Sequence, residues 1–145
     1  MNRLAGCAGE WQGISTLFLP DATPEGSDSI LAVAPVLNGR FIRLDYTWSQ
    51  GGAPQHGSLL IGSHEACWID TWHMSDRMMI CAIEHGDGAA WSCRGSYAVP
   101  PGPDWHWRIA ITPELPDKVR IVMTNILPGE ETGMLAVDAV YSRVS

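Results

Sequence analysis

Basic residues are scarce in this sequence of 145 residues. Nine Lys and Arg residues stand against 16 Asp and Glu residues, which gives a formal net charge of −7 and a pI of about 5.0. Nucleic acids and anionic membrane surfaces both attract a basic protein face. Apolar runs are also short, and none approaches the roughly 18 residues of a membrane-spanning helix. We therefore expect neither nucleic acid nor a membrane as a partner.

Signatures of catalysis and metal binding are missing as well. The sequence contains no G-x-S-x-G nucleophile motif and no G-x-x-x-x-G-K phosphate loop. Its five histidines are dispersed and its four cysteines form no C-x-x-C pair. We accordingly predict no metal site and no cofactor. A domain of this size does not need disulfides, so we expect free thiols in a cytoplasmic protein. The cysteines are Cys7, Cys67, Cys81 and Cys93.

One short motif resembles a processing signal. The box that precedes a lipid-modified cysteine in bacterial lipoproteins is matched by Leu4-Ala5-Gly6-Cys7. A secretory signal needs an apolar stretch of about 7–15 residues before its cleavage site, whereas only three residues precede the box in this sequence. We expect the match to be accidental and the chain to carry no export signal.

Helical patterns are weak, whereas strand patterns recur along the chain. No long stretch has the i, i+3, i+4, i+7 spacing of an amphipathic helix. Apolar residues instead alternate with a period of two, for example over residues 105–112 and 135–142, which places each set on one face of a sheet. Clusters of Gly, Pro, Asn and Asp separate these segments as turns. The pattern predicts about ten strands, centred near Ile14, Val33, Leu44, Leu60, Ile69, Cys81, Ser92, Ile109, Val122 and Val137.

Short strands with hairpin-length connections favour one all-β architecture. A single open sheet of this length has two exposed edges and curls strongly. Closing the sheet into a barrel removes both edges, although a β-sandwich also satisfies the pattern. We predict that residues 1–145 form one all-β domain, a single antiparallel up-and-down β-barrel of about ten strands. A barrel of about eight strands or more has room for a small ligand inside.

The two ends of the chain carry a pair of recognisable motifs. The first predicted strand reads Gly9-Glu10-Trp11-Gln12-Gly13, and the last ends in Tyr141-Ser142-Arg143. This pairing resembles the calycin superfamily of lipocalins and fatty-acid-binding proteins, in which a G-x-W on the first strand meets a basic residue on the last. The resemblance implies that Trp11 closes one end of the barrel and that the guanidinium of Arg143 stacks on its indole ring.

Four longer stretches are similar to an uncharacterised bacterial family, domain of unknown function 1579, which has a lipocalin-like barrel. The resemblance implies the fold and carries no reaction. A haem-binding group of such barrels also begins with G-x-W-x-G and uses a histidine near its C-terminal strands as iron ligand. No histidine follows His106 in this chain, so we do not expect haem. The similar stretches are residues 39–48, 68–74, 95–105 and 125–143.

Aromatic residues and a few polar ones are the candidates for a binding site. The chain has seven Trp but only two Phe, and Trp suits both cores and ligand pockets because it combines a large apolar body with one N–H donor. Plain core packing is one explanation for this set. We predict instead that the protein binds a small apolar or amphipathic molecule inside the barrel. The predicted ligand-binding residues are Tyr46, Trp68, Asp70, Trp72, Trp91, Tyr97, Trp107 and Asn125.

Asp70 is the most unusual member of this set, because it lies between Trp68 and Trp72 on one face of a predicted strand. Inside the barrel, burial would favour its neutral form unless a cation or several donors lie close to it. One alternative function is therefore an enzyme that acts on a small hydrophobic substrate with Asp70 as acid or base. The structural alternatives are an internal pair with Arg40 or Arg143, or an Asp70 that faces solvent.

Alternation also assigns neighbouring residues to the outer face. His73 alternates away from Trp72, so we expect it to point outward. A further alternative function is a ligand-free module that forms a homodimer through an apolar patch on the outside of the barrel. The outward positions relevant to such a patch are Ile14, Phe18, Val122 and Ile126.

Overall fold

The computed structural model describes residues 2–86 and 90–144, and this part of the chain forms ten β-strands. Every predicted strand centre falls inside one of them, so the period-two alternation located all ten. A short 3-10 helix, Asn2–Cys7, precedes the first strand. The strands are β1 Gly9–Leu17, β2 Glu25–Val36, β3 Phe41–Gln50, β4 Ala53–Ile61, β5 Glu65–Asp70, β6 Met79–Glu84, β7 Trp91–Tyr97, β8 Trp105–Glu114, β9 Lys118–Ile126 and β10 Met134–Arg143.

The strands close into one antiparallel barrel, as predicted. Each strand pairs with the next along the chain, and β1 pairs with β10 to complete the ring. The topology is therefore up-and-down, and the β-sandwich alternative is excluded. Inward-facing residues of all ten strands pack into one continuous core. No helix in the described part of the chain is long and apolar enough to cross a membrane.

One end of the barrel is closed by the 3-10 helix and by the motifs at the chain ends. Trp11 is fully buried and donates a hydrogen bond from Nε1 to the Cys7 carbonyl, at 2.9 Å. Arg143 lies opposite Trp11 in the β1–β10 ladder, with Cζ 4.2 Å from the centre of the indole ring. Its guanidinium also donates to three backbone carbonyls at 2.8 to 3.0 Å. Trp11 and Arg143 therefore lie in the stacked arrangement that the resemblance implies.

Replacing Arg143 by Lys is expected to lower the free energy of unfolding by about 1–2 kcal/mol. Lysine keeps the charge, but it has no planar fork to reach three carbonyls while stacking on Trp11. Urea denaturation at neutral pH measures the loss. Arg43→Lys is the control, because Arg43 pairs with Asp45 on the surface and such pairs are worth less than about 1 kcal/mol. Equal, small losses in the two variants would contradict the closing role.

The opposite end of the barrel is its mouth, where odd-numbered strands end and even-numbered strands begin. A β-bulge between Leu135 and Val137 interrupts the β9–β10 ladder at this end. The bulge turns Ala136 towards the core, and its carbonyl accepts a hydrogen bond from the Phe18 N–H at 2.9 Å. The alternation over residues 135–142 placed Leu135 on the same face as Val137. The bulge separates them, and Leu135 is exposed whereas Val137 is buried.

The outer-face predictions are correct for Ile14, which is exposed, and for Val122, which is partly exposed. They are wrong for Ile126, which is buried because Gly133 in the following loop packs against it. A Cβ built on Gly133 would lie 2.8 Å from Ile126 Cγ1. They are also wrong for Phe18, which lines the mouth cavity. Strand β1 ends at Leu17, so alternation no longer applies to the residue after it.

Candidate ligand-binding site

A cavity of about 240 Å³ lies inside the mouth of the barrel. It opens beside Leu19 and Trp72, both of which are exposed. Its wall is mainly apolar and aromatic, and no Lys, Arg, Asp or Glu is among the described residues that line it. Five of the predicted ligand-binding residues form part of this wall, namely Trp68, Trp72, Tyr97, Trp107 and Asn125.

His73 lies at the floor of the cavity, among four tryptophan rings. Its ring centre is 4.8 Å from that of Trp72, 5.2 Å from that of Trp107, 5.5 Å from that of Trp48 and 5.8 Å from that of Trp68. Trp68 and Trp107 also stack on each other, with centres 5.1 Å apart and planes within 12°. These five residues are the aromatic box of the site.

Asp70 lies beneath His73, and its side chain is almost fully buried, at 1% exposure. Its Oδ1 accepts hydrogen bonds from the backbone N–H groups of Trp72 and His73, both at 2.9 Å, and from His73 Nδ1 at 3.1 Å. Its Oδ2 accepts from the Tyr46 hydroxyl at 2.7 Å and from Trp48 Nε1 at 3.3 Å. Five donors therefore surround one buried carboxylate, and they satisfy the condition under which it stays ionised.

The prediction that His73 faces solvent is wrong, because its side chain points into the barrel. Strand β5 ends at Asp70, and the chain then turns, with the Met74 N–H donating to the Asp70 carbonyl at 3.0 Å. The Asp70 carboxylate caps this turn in the manner of a helix N-cap, since it binds the N–H groups two and three residues further on. Residues of a turn do not alternate between faces, so His73 folds back over Asp70.

The hydrogen bonds at Asp70 also decide where the protons of the site lie. Burial acts to raise the pKa of Asp70, but the hydrogen bonds and charge of His73, together with the hydrogen bond from Tyr46, outweigh it, and the pKa falls below its ordinary value of 3.8. An ionised carboxylate only accepts, so His73 Nδ1 carries the proton between them. Burial, followed by the charge of Asp70, raises the pKa of Tyr46 well above its ordinary value, and its hydroxyl remains a donor.

A glycine makes the bond between Tyr46 and Asp70 possible. Tyr46, Gly57 and Asp70 lie opposite one another on β3, β4 and β5, and the tyrosine side chain crosses the intervening strand to reach the carboxylate. A Cβ at Gly57 would lie 2.0 Å from Tyr46 Cζ and 2.1 Å from its hydroxyl oxygen. The hydroxyl also accepts a hydrogen bond from Trp68 Nε1 at 3.0 Å, which links the carboxylate to the cavity wall.

Two further polar groups belong to the cavity wall. The Tyr97 hydroxyl donates to Asn125 Oδ1, which fixes the orientation of both side chains. Burial raises the pKa of Tyr97, although the bond to Asn125 acts in the opposite direction. The Nε1 of Trp107 is buried without a hydrogen-bond partner in the described part of the protein. An orphaned buried donor of this kind costs about 1–3 kcal/mol.

The remaining predicted residues lie elsewhere or act indirectly. Trp91, at the start of β7, is buried at the end of the barrel opposite the mouth. Arg40 is exposed beyond β2 and Arg143 belongs to the closed end, so neither pairs with Asp70. The structural alternatives of an Arg–Asp pair and of a solvent-facing Asp70 are therefore wrong. Within residues 2–86 and 90–144, no cluster of three or more His, Cys, Asp or Glu could hold a metal ion.

Sequence reasoning missed the histidine of the site and most of its apolar wall. One usable signal was Asp70 itself, since an Asp at the end of a strand pattern, followed by residues that do not alternate, indicates a capped turn. Another was the spacing of two between Tyr46 and Trp48, which places both on the inner face. The missed residues are Leu17, Phe18, Leu19, Trp48, His73, Met74, Met79 and Ala136.

A closed ten-stranded antiparallel barrel with a cavity at one end defines a lipocalin-like barrel protein. Two solved structures share this fold. The crystal structure of Rv2717c from M. tuberculosis is 14% identical, with a TM-score of 0.61 over 99% of this chain and 96% of the other. The S-type phycobiliprotein lyase CPES from Guillardia theta is 10% identical, with a TM-score of 0.62 over 99% and 92%.

The particular family follows from the sequence. A family model described as Protein of unknown function (DUF1579) matches residues 2–143. The chain belongs to this family, as the four similar stretches indicated. A comparison with curated protein sequences finds no match.

Proposed function

We propose that the protein binds one small apolar or amphipathic molecule in the mouth cavity. The observation that carries the proposal is a largely apolar and aromatic cavity with the polar side chains of His73, Tyr97 and Asn125 in its wall. Asp70 holds His73 Nδ1, whereas His73 Nε2 makes no hydrogen bond to the described residues. Ligand pockets typically combine apolar walls with a few such polar groups and have volumes of about 300–1,000 Å³. A cavity of about 240 Å³ suits a smaller molecule.

The alternative of an enzyme with Asp70 as acid or base is not favoured by the geometry. A general acid or base has to reach the proton that it transfers. Asp70 lies below His73, both its oxygens accept hydrogen bonds, and its pKa is lowered from the ordinary value. The role that this arrangement supports is orientation of His73.

We also propose a compartment and a set of partners for the protein. All four cysteines are unpaired and three of them are buried, which supports a reducing compartment such as the cytoplasm. The net charge of −7 opposes binding to nucleic acid or to an anionic membrane surface. Homodimer formation is a weaker alternative, supported by Ile14 and its ladder partner Val140, which are both exposed on the outer face.

Native mass spectrometry of the freshly purified protein tests the binding function. We expect a stoichiometric additional mass that disappears on denaturation. Ala136 lines the cavity and Ala82 is exposed on β6, so Ala136→Phe is expected to lose the additional mass and Ala82→Phe to keep it. An additional mass retained by both variants would place the ligand elsewhere. A bare wild-type protein that also fails to bind small aromatic probes would overturn the proposal.

A further inference from the structure

We propose that the ligand of the mouth cavity is of the phenol class, with a small aromatic body and one un-ionised hydroxyl that donates its hydrogen bond to His73 Nε2. The inference rests on the proposed binding function and adds the chemical class of the ligand. It is carried by the orientation of His73, by the charges around it and by the aromatic box.

The orientation of His73 makes Nε2 an acceptor. The buried carboxylate of Asp70 holds Nδ1 at 3.1 Å, while the His73 backbone N–H binds the same oxygen at 2.9 Å. Both bonds fix the ring, and the first assigns the proton to Nδ1. An imidazole that holds a single proton, on Nδ1, has its lone pair on Nε2. Since Nε2 has no partner among the described residues, a ligand with a hydrogen-bond donor satisfies it.

The charges around the cavity oppose an anionic ligand. The carboxylate of Asp70 lies one imidazole ring away from Nε2, and the described residues of the cavity wall include no Lys or Arg. A carboxylate ligand would bring a second negative charge close to the first, in a site of low dielectric constant. A neutral hydroxyl adds no charge and still donates to Nε2.

The shape of the wall favours an aromatic body. Trp68 and Trp107 form a stacked pair with planes within 12°, and Trp72 meets His73 edge-on, at 85°. Flat rings gain from stacked and edge-to-face contacts with such walls. Met74 and Met79 complete the wall with flexible thioethers, which also pack well against aromatic rings. A single substituted benzene ring therefore has suitable neighbours on its faces and its edge.

Three probes of nearly equal size test the inference by isothermal titration calorimetry near pH 7.5. They are p-cresol, 4-methylanisole and 4-methylbenzoate, which carry a hydroxyl, a methyl ether and a carboxylate on the same ring. Phenols titrate near pH 10, so p-cresol is un-ionised in this experiment. We expect p-cresol to bind about 10-fold more tightly than 4-methylanisole, because the bound ether covers Nε2 without donating a hydrogen bond to it. The benzoate is expected to bind more weakly than either.

The variant His73→Phe keeps a ring in the aromatic box but removes the acceptor. It is expected to bind p-cresol and 4-methylanisole with equal affinity. His56→Phe is the matched control at an exposed position on β4, and it should retain the 10-fold preference. Near-ultraviolet circular dichroism establishes that each variant is folded. The comparison of the three probes on the wild-type protein requires no variant and tests the inference by itself.

The outcomes separate the two proposals. If the wild-type protein binds none of the probes and carries no additional mass after purification, the binding function and the phenol inference both fail. If it binds p-cresol and 4-methylanisole equally, or binds 4-methylbenzoate best, the binding function stands and the phenol inference is overturned. A p-cresol preference that survives in His73→Phe would also overturn it, because the hydroxyl would then lie elsewhere.

Discussion

Replacing Asp70 by Asn is expected to lower the free energy of unfolding by about 3 kcal/mol at neutral pH. The carboxylate is almost fully buried and accepts five hydrogen bonds. An amide of the same shape has one oxygen and one NH₂ group. Its NH₂ group therefore faces donors of Tyr46 and Trp48 or of Trp72 and His73, whichever way it is turned. Urea denaturation measures the loss.

The same variant should change how stability depends on pH. The pKa of Asp70 in the folded protein lies below the ordinary value of 3.8. Below pH 3.8 the unfolded chain therefore takes up a proton that the folded protein does not, and the wild-type protein loses stability as the pH falls towards the folded pKa. Asp70→Asn lacks this titration. We expect the difference in unfolding free energy between the two proteins to shrink as the pH falls below about 5 towards the folded pKa of Asp70.

Asp45→Asn is the matched control for these measurements. Asp45 lies on the outer face of β3, where it accepts hydrogen bonds from Arg43 and Ser58 and is partly exposed. Removal of its charge should cost less than about 1 kcal/mol. A loss for Asp70→Asn that is no greater than this, or one that does not depend on pH, would show that the five donors do not stabilise the fold through the carboxylate.

Replacing Gly57 by Ala is expected to lower the free energy of unfolding by about 2–4 kcal/mol and to displace Tyr46 from Asp70. The added methyl group would overlap the tyrosine ring, at 2.0 Å from Cζ. Relief requires either a shift of β4 or a new rotamer for Tyr46, and both break the bonds that the hydroxyl makes with Asp70 and Trp68. Urea denaturation measures the cost, and a crystal structure of the variant would locate the tyrosine.

Gly26→Ala serves as the control for this substitution. Gly26 also lies within a strand, β2, but a Cβ built there meets Ile14 Cγ2 at 3.5 Å, an ordinary contact. We expect this variant to be within about 1 kcal/mol of the wild type, because alanine also restricts the unfolded chain. If the two alanine variants were equally stable, the close approach of Tyr46 to Gly57 would not constrain the site.

Much of the fold was predictable because strand alternation is a local property. The inward position of Trp107, Ile109 and Ile111 follows from their spacing of two alone. The failures lie where alternation stops. Leu135 precedes a bulge and Phe18 follows the end of a strand. Bulges and strand ends depend on the pairing partner, which a local pattern does not contain.

The candidate site was predictable in part for the same reason. Alternation left open which face of the strand that holds Trp68 and Asp70 points inward, and the structure buries both side chains. His73 was wrongly expected to point outward, because it belongs to a turn that the Asp70 carboxylate caps. Trp91 was wrongly grouped with the cavity, since alternation identifies the face of a strand but not the end of the barrel towards which a residue lies.

The sequence by itself indicated the ten strands and, through its motifs, the family. Each of these depends on local periodicity or on a motif that can be read from neighbouring residues. The tertiary structure alone decided that Asp70 is a buried carboxylate surrounded by hydrogen-bond donors. The hydroxyl of Tyr46 is 24 positions away from it in the chain and reaches it across Gly57. Such a contact exists only when three strands are paired in register, because register brings distant side chains within hydrogen-bonding distance.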